Sequence, residues 1–116
     1  MAEIGKGTSV FVAEPVRGHW RRLASPDDVL ELLDEIADEQ IVACVADAGA
    51  TFLAPIFDDL TAVVCLSGTP MSHIGIVSRE YRVPCIMGFE IAREPADDEL
   101  VEVDCRRQVG VVRECD

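Results

Sequence analysis

Hydrophobic residues recur at helical spacing in two parts of the chain, and the first of these begins near Ser25. Ser25 suits an N-cap, and it is followed by Pro26 and two acidic residues, which is typical of a helix start. The spacing predicts an amphipathic surface helix over about residues 26–39, with acidic side chains on the face opposite the apolar one. The apolar face comprises Val29, Leu32, Leu33 and Ile36.

The second helical pattern follows an apolar run and a group of turn-forming residues. Residues 62–66 predict a buried strand, and Ser67-Gly68-Thr69-Pro70 is turn chemistry. Apolar side chains then recur at Ile74, Val77 and Tyr81, which is the i, i+3, i+7 spacing of one helix face. We therefore predict a strand, a tight loop and a helix over residues 72–81, with Ser72 at or near the N-cap and His73 in the first turn.

The remaining apolar segments have the length and pattern of strands. Residues 41–45 and 85–87 are short buried runs, and residues 100–104 alternate with period two. Residues 109–113 are expected to pair with residues 100–104 as a hairpin. A further strand is predicted at residues 10–13, stopping at Pro15, after a flexible glycine-rich segment at residues 5–9.

Three connecting segments complete the prediction. Residues 51–57 are expected to form one or two helical turns, and residues 94–98 an exposed turn. Residues 17–22 are the only basic cluster, and a surface turn with a half-buried Trp20 is the preferred interpretation. Together these elements predict a single α/β domain over residues 1–116, with a central β layer flanked by helices.

Charge and length narrow the functional classes. A net charge of −12 over 116 residues argues against nucleic-acid binding. It is compatible with docking on a basic partner, or equally with a solvated acidic surface that has no partner. No apolar run approaches the ~20 residues of a membrane span, and the N-terminus lacks a secretory signal. The cytoplasm is therefore the expected location.

The five cysteines lack the spacing of a metal or redox motif. Three lie within apolar strand-like runs, where cysteine behaves as a small hydrophobic residue. With only two histidines in the chain, no metal site is predicted. Thiol redox chemistry would have to rely on unpaired cysteines, and an odd thiol count without a signal peptide fits a reducing compartment.

His73 is the candidate for chemistry because of its place at a helix start. Free N–H groups and the helix dipole attract anions there and disfavour a positive charge, so the neutral, nucleophilic imidazole is favoured. Gly68 would let the backbone approach a phosphate, and the hydroxyls of Thr69 and Ser72 would donate hydrogen bonds to it. On spacing alone, however, a capping loop whose histidine merely packs or hydrogen-bonds is the commoner structure.

A family resemblance changes that balance. Residues 67–73 (SGTPMSH) and 76–88 (IVSREYRVPCIMG) resemble the signature of the phosphohistidine, or swivelling, mobile domain of PEP-utilising enzymes. That family includes pyruvate phosphate dikinase, PEP synthase and enzyme I of the sugar phosphotransferase system. Two small residues depart from its pattern, Ser67 where glycine is usual and Ser78 where alanine is usual, and Met71 replaces a threonine that can be regulatory in the dikinases.

The resemblance implies a swivelling β/β/α fold and a phosphoryl-carrier function. The histidine at the position of His73 would be phosphorylated from ATP or PEP and would relay the phosphoryl group to an acceptor. This chain would bind no cofactor itself, because Mg²⁺ with ATP or PEP would be held by a separate ATP-binding or PEP/pyruvate-binding protein. The alternative is a non-catalytic interaction or regulatory module that retains the fold. His19 has neither a small-residue loop nor a helix start before it, so it is a poor second candidate.

Overall fold

Seven strands, two α-helices and one 3-10 helix make up the chain in the computed structural model, which describes residues 2–36, 39–49 and 51–115. The strands are β1 (Glu3–Ser9), β2 (Ala13–Arg22), β3 (Ile41–Val45), β4 (Ala62–Cys65), β5 (Cys85–Ile91), β6 (Leu100–Cys105) and β7 (Val109–Glu114). The helices are α1 (Pro26–Ile36), the 3-10 helix (Ala54–Asp59) and α2 (His73–Tyr81).

The strands close into a barrel in the order β1-β5-β4-β3-β2-β6-β7, with β7 returning to β1. Strands β2, β3, β4 and β5 are parallel neighbours, whereas the other pairs are antiparallel. Parallel neighbours need crossover connections, and α1, the 3-10 helix and α2 lie on the three that join these strands. At the closing pair, the Glu114 N–H donates to the Ala2 carbonyl oxygen at 2.8 Å.

Two hydrophobic cores lie on opposite faces of β3. Because side chains alternate along a strand, Val42 and Cys44 point into the barrel with Trp20, while Ile41 and Ala43 face the helices. All five residues of β3 are buried as a result, which explains why its sequence is a continuous apolar run. The core beneath the helices includes Val29 and Leu32 of α1, Ile56 and Phe57 of the 3-10 helix and Ile74 of α2.

The prediction of a mixed α/β domain is confirmed, but that of a central layer flanked by helices is wrong. The sheet closes on itself, and the helical elements share one core over β3, β4 and β5. The discrepancy arises largely from residues 5–9, which were expected to be flexible but belong to β1. A Cβ at Gly7 would lie 2.6 Å from the Met87 carbonyl oxygen and 2.8 Å from an Ile86 methyl carbon, so glycine lets β1 pack closely on β5.

The predicted strand at residues 10–13 is also wrong, since residues 10–12 form the turn between β1 and β2. Val10 packs beneath the helices, which explains the apolar character of this segment. Pro15, expected to end a strand, lies within β2 where the pairing with β6 shifts register between Ala13 and Val16. Proline is tolerated at such irregularities because it has no N–H to contribute to the ladder.

The basic cluster at residues 17–22 is part of β2 rather than a surface turn. Trp20 is fully buried in the barrel, not half-buried, and its Nε1–H donates to Glu94 Oε2 at 3.2 Å. Two neighbouring arginines form ion pairs with the segment before β6, Arg21 with Asp98 and Arg22 with Glu94. The cluster therefore holds a loop against the barrel.

The other predicted elements are confirmed with changed boundaries. Strands β3 and β4 and helix α2 lie where the pattern places them. Strands β6 and β7 pair as a hairpin. Strand β5 continues past Gly88 to Ile91, and α1 is described to Ile36, with residues 37 and 38 lying outside the described residues. Within the described ranges, the helices fall short of the length and apolarity needed to cross a membrane.

Candidate functional site

His73 is the first residue of α2, and its side chain is exposed. Ser72 precedes it as the N-cap with extended backbone (φ −70°, ψ 164°), as the sequence predicts. Strand β4 ends at Cys65, so the loop that leads to His73 begins at the carboxyl end of a strand inside the parallel part of the barrel. The imidazole is therefore presented to solvent at a helix start and not enclosed in either core.

The loop before His73 is attached to the segment that follows β3. The Ser67 hydroxyl donates to the Ala46 carbonyl oxygen at 2.7 Å, and the Ile74 N–H donates to the Ala48 carbonyl oxygen at 2.9 Å. Gly68 has φ +89°, and a Cβ there would lie 2.5 Å from the Ala48 Cβ. Ser67, which stands where the family usually has glycine, thus contributes a hydrogen bond that a glycine could not make.

The hydroxyls of Thr69 and Ser72 organise the same loop. The Thr69 N–H donates to Ser72 Oγ at 2.9 Å, and the Met71 N–H donates to Thr69 Oγ1 at 3.3 Å. Ser72 therefore makes no side-chain cap bond to the helix, although it occupies the N-cap position. Each hydroxyl accepts a hydrogen bond in this arrangement and keeps its own proton for donation.

The N–H groups at the start of α2 are only partly free. The Ile74 N–H donates to the Ala48 carbonyl oxygen. The N–H groups of His73 and Gly75 make no hydrogen bond within the described part of the chain. Gly75 is buried beneath Pro70, so the N–H of the exposed His73 is the backbone donor available beside the imidazole. A helix start with such a donor and its positive dipole end favours a bound anion.

Gly75 is needed because the loop crosses closely over the first turn of α2. A Cβ at this position would contact the Pro70 carbonyl oxygen and lie 2.9 Å from the Pro70 carbonyl carbon. The residue pattern gives no signal for Gly75, because the close approach of Pro70 arises only in the folded loop.

We expect Gly75→Ala to destabilise the protein. In an open helix, alanine would be favoured over glycine by about 1 kcal/mol. Here the backbone of Pro70 must move, and overpacking of that kind costs about 1–3 kcal/mol. Urea unfolding should therefore show a net loss of stability. Gly49→Ala, whose Cβ would lie 3.3 Å from Asp47 Oδ1, should change stability by less than about 0.5 kcal/mol. A stabilised Gly75→Ala variant would contradict the close approach.

A groove of about 200 Å³ runs beside His73 between the 3-10 helix and α2. The Phe57 and Tyr81 rings are 5.9 Å apart between centroids. Helical turns are predicted at residues 51–57, where the 3-10 helix lies, but the residue pattern gives no sign that they lie beside His73. The groove is lined by Thr51, Leu53, Ala54, Phe57, His73, Ile74, Val77, Glu80 and Tyr81.

Two polar residues near the end of the motif make hydrogen bonds from α2. Ser78 is fully buried, and its hydroxyl donates to the Gly75 carbonyl oxygen at 2.9 Å, so the buried polar group is satisfied. Arg79 Nη2 donates to the Val10 carbonyl oxygen at 2.8 Å, which ties the helix to the turn between β1 and β2. The Ser78 bond lies within α2, whereas the Arg79 bond positions the helix that carries His73.

The cysteines are poorly suited to nucleophilic or redox chemistry. Cys44, Cys65, Cys85 and Cys105 are buried in strands. Burial raises the pKa of Cys44 to about 12 and that of Cys105 to about 11. A hydrogen bond with Cys85, together with burial, raises the pKa of Cys65 as well. The protonated thiol is a weak nucleophile, so these groups act as core side chains.

Comparison with known proteins identifies the family of this site. The family model described as PEP-utilising enzyme, mobile domain, matches residues 36–108, which is more than half of the chain. Chondramide synthase cmdD from Chondromyces crocatus is 39% identical over 56 residues, 47% of this chain. The chain spans about 1% of the length of that curated relative.

The matched range contains the parallel strands β3 and β4, the loop with Gly68 and the helix that begins at His73. Mobile domains of PEP-utilising enzymes carry a phosphoryl group on a histidine, and an exposed histidine at a helix start suits that role. The chain belongs to the PEP-utilising enzyme mobile-domain family.

Proposed function

We propose that this domain is a phosphoryl carrier that accepts a phosphoryl group from ATP or PEP on His73 and delivers it to an acceptor on a partner chain. The observation that carries this proposal is the exposed His73 imidazole at the first residue of α2, beside the unused backbone N–H group of the same residue. A phosphoryl group on this imidazole would lie near the positive end of the helix dipole.

The transfer is a displacement at phosphorus. The lone pair of the unprotonated ring nitrogen attacks the phosphorus atom, while the bond to the donor's leaving oxygen breaks and its electron pair stays on that oxygen. The other ring nitrogen keeps its proton throughout. In the second step an acceptor oxygen attacks the phosphorus, the P–N bond breaks with its electron pair returning to the ring nitrogen, and a hydroxyl acceptor releases its proton to solvent. Forming a covalent intermediate replaces one difficult transfer with two easier ones.

Three residues near His73 are proposed to hold the phosphoryl group. The hydroxyl oxygens of Thr69 and Ser72 accept hydrogen bonds from the loop backbone, so their O–H groups can donate hydrogen bonds to the phosphoryl oxygens. Gly68, at φ +89°, lets the loop pack closely against Ala48 and Ser72, and its backbone is proposed to approach the phosphoryl group. These donors supplement the free N–H group of His73 as an anion site.

The donor is proposed to be held by a separate protein. ATP or PEP would bind there with Mg²⁺, and the metal would neutralise charge on the phosphoryl group as it moves. The domain would thus be one component of a cytoplasmic phosphotransferase, without a role in binding nucleic acid. Its excess of acidic groups, −12 in net charge, would attract a donor site lined with cations.

Labelling with candidate partners tests this function. The chain should be incubated with labelled PEP or γ-labelled ATP, alone and with ATP-binding or PEP-binding polypeptides from the same source. We expect label on His73 only when a partner is present, and loss of that label when the acceptor is added. Labelling by this chain alone would contradict the transfer between chains, and an unlabelled chain with every partner would favour the interaction module.

A further inference from the structure

The groove beside His73 runs along α2 from its first residue to its last. One wall is formed by Leu53, Ala54 and Phe57, and the other wall by α2 from His73 to Tyr81. Nine helical residues span about 13 Å. A chain that docks in the groove is therefore held close to the imidazole that is proposed to be phosphorylated.

We propose that this groove is the docking site for one aromatic side chain, flanked by basic residues, of the chain that phosphorylates His73. The inference rests on the proposed function and names the surface chemistry of the partner. It assigns to the groove a role in positioning the domain over the donor site.

The size of the groove favours a single side chain over a larger ligand. Sites for small molecules usually measure about 300–1,000 Å³, whereas this groove measures about 200 Å³. An apolar cavity of about 150 Å³ accommodates one benzene ring. Buried aromatic anchors in such pockets commonly dominate the affinity of protein interfaces.

The lining explains why the anchor should be apolar. Ile74 and Phe57 form buried parts of the core beneath the groove, and Val77 packs against that core while remaining partly accessible. Placing an aromatic ring on these side chains would remove apolar surface of both partners from water.

The charge around the groove explains why basic residues should flank the anchor. The groove is lined by the carboxylate-bearing Glu80, and no lysine or arginine lines it among the described residues. Asp58 and Asp59 follow Phe57 directly and are exposed. Arg82 lies just beyond α2 and is not part of the lining. A complementary partner would thus carry cations beside its ring.

Exposed apolar side chains around the histidine favour a protein partner. Met71, two residues before His73, is 72% exposed, and Tyr81 at the far end of the groove is 52% exposed. Ile76 on α2 is also exposed. A chain that closes over the imidazole would cover this surface together with the groove, which a free small molecule would leave in water.

Three capped tripeptides test the chemistry of the groove directly. Acetylated and amidated Lys-Phe-Arg should shift the amide resonances of Thr51, Ala54 and Val77 in ¹H–¹⁵N spectra at low salt. Lys-Ala-Arg should bind about tenfold more weakly, because it lacks the ring, and Glu-Phe-Glu should bind at least about threefold more weakly than Lys-Phe-Arg. Equal binding of all three peptides, or shifts confined to other surfaces, would overturn the proposal.

A matched pair of variants tests the role in transfer. Ala54→Phe places a ring in the groove, whereas Ala92→Phe places one at an exposed position outside it. We expect Ala54→Phe to lose the response to Lys-Phe-Arg and to slow partner-dependent labelling of His73 about tenfold or more. Ala92→Phe should behave as the wild type in both assays, and wild-type labelling of Ala54→Phe by the partner would refute docking in the groove.

Chemical phosphorylation separates failure of this proposal from failure of the proposed function. Phosphoramidate can transfer its phosphoryl group to a reactive imidazole with release of ammonia and needs no docked protein, so Ala54→Phe should react at His73 as the wild type does. If His73 reacts but the peptides leave the groove unchanged, the docking proposal fails and the carrier function stands.

Two other occupants would each overturn the docking proposal. Free phenol binding as tightly as Lys-Phe-Arg would identify a small-molecule pocket. Self-association that Ala54→Phe abolishes would identify a second copy of the chain as the occupant.

Discussion

His73→Ala should abolish phosphorylation of the chain and leave its stability nearly unchanged. The histidine side chain is exposed at the first position of α2, outside both cores. Surface substitutions of this kind usually change the free energy of unfolding by less than about 0.5 kcal/mol. Label incorporation should fall to background with partner and labelled donor, while urea unfolding should give the wild-type midpoint.

The chemical stability of the label identifies its attachment. A phosphoryl group on an imidazole nitrogen is lost in acid and retained in base, so the label should disappear at low pH and survive high pH. His19→Ala is the matched control, because His19 lies on β2 and not in the loop of Thr69 and Ser72. Its Nδ1 is 3.0 Å from the carbonyl oxygen of Asp98, in the segment before β6. Undiminished labelling of His73→Ala would show that another residue carries the phosphoryl group.

Trp20→Ala should cause the largest loss of stability among these variants. The indole is fully buried in the barrel, and its ring centroid lies 6.4 Å from that of Phe89. Truncation of a buried tryptophan costs about 3–5 kcal/mol, against a total of about 5–15 kcal/mol for an ordinary domain. Urea unfolding followed by circular dichroism should show this loss, since the variant lacks the single tryptophan for fluorescence.

Two substitutions serve as references for that measurement. Trp20→Phe keeps an aromatic ring in the barrel but removes the hydrogen bond to Glu94, so it should cost less than Trp20→Ala. Leu30→Ala removes a side chain that is 63% exposed on α1 and should change stability only slightly. A loss no greater for Trp20→Ala than for Leu30→Ala would be incompatible with the buried position of Trp20.

The elements that the sequence predicts well are those with local signals. A turn-forming segment, the N-cap Ser72 and regularly spaced apolar residues are enough to place α2 and His73. The apolar run of β3 is equally informative, because burial on both faces leaves no polar position to interrupt it. The exposure of His73 and the strand–loop–helix arrangement follow from these short-range patterns.

The elements that the sequence fails to predict depend on distant neighbours. The glycines of β1 indicate flexibility unless β5, about 80 residues later, packs against them. In β2, Gly18 and Trp20 are buried while Arg17 is exposed, but the glycine and the charged neighbours hide this alternation. With these two strands missed, the sheet is expected to remain open rather than to close.

The site shows the same division between local and distant information. Thr69 and Ser72 are evident from the motif, but the carbonyl groups of Ala46 and Ala48 that hold the loop belong to another strand connection. Backbone groups leave no trace in residue identity, because every residue carries a carbonyl. The groove likewise depends on how the 3-10 helix packs on α2, which residue spacing alone does not give.

The pairing of β1 with β7 has a mechanical consequence for the proposed carrier role. Ala2 and Glu114 are hydrogen-bonded neighbours, so linkers joined at these two positions would meet the barrel side by side. Adjacent attachments act as one hinge line, about which a rigid body can turn without stretching either linker. Rotation about that line would carry His73 along an arc of fixed radius, with its loop and helix unchanged.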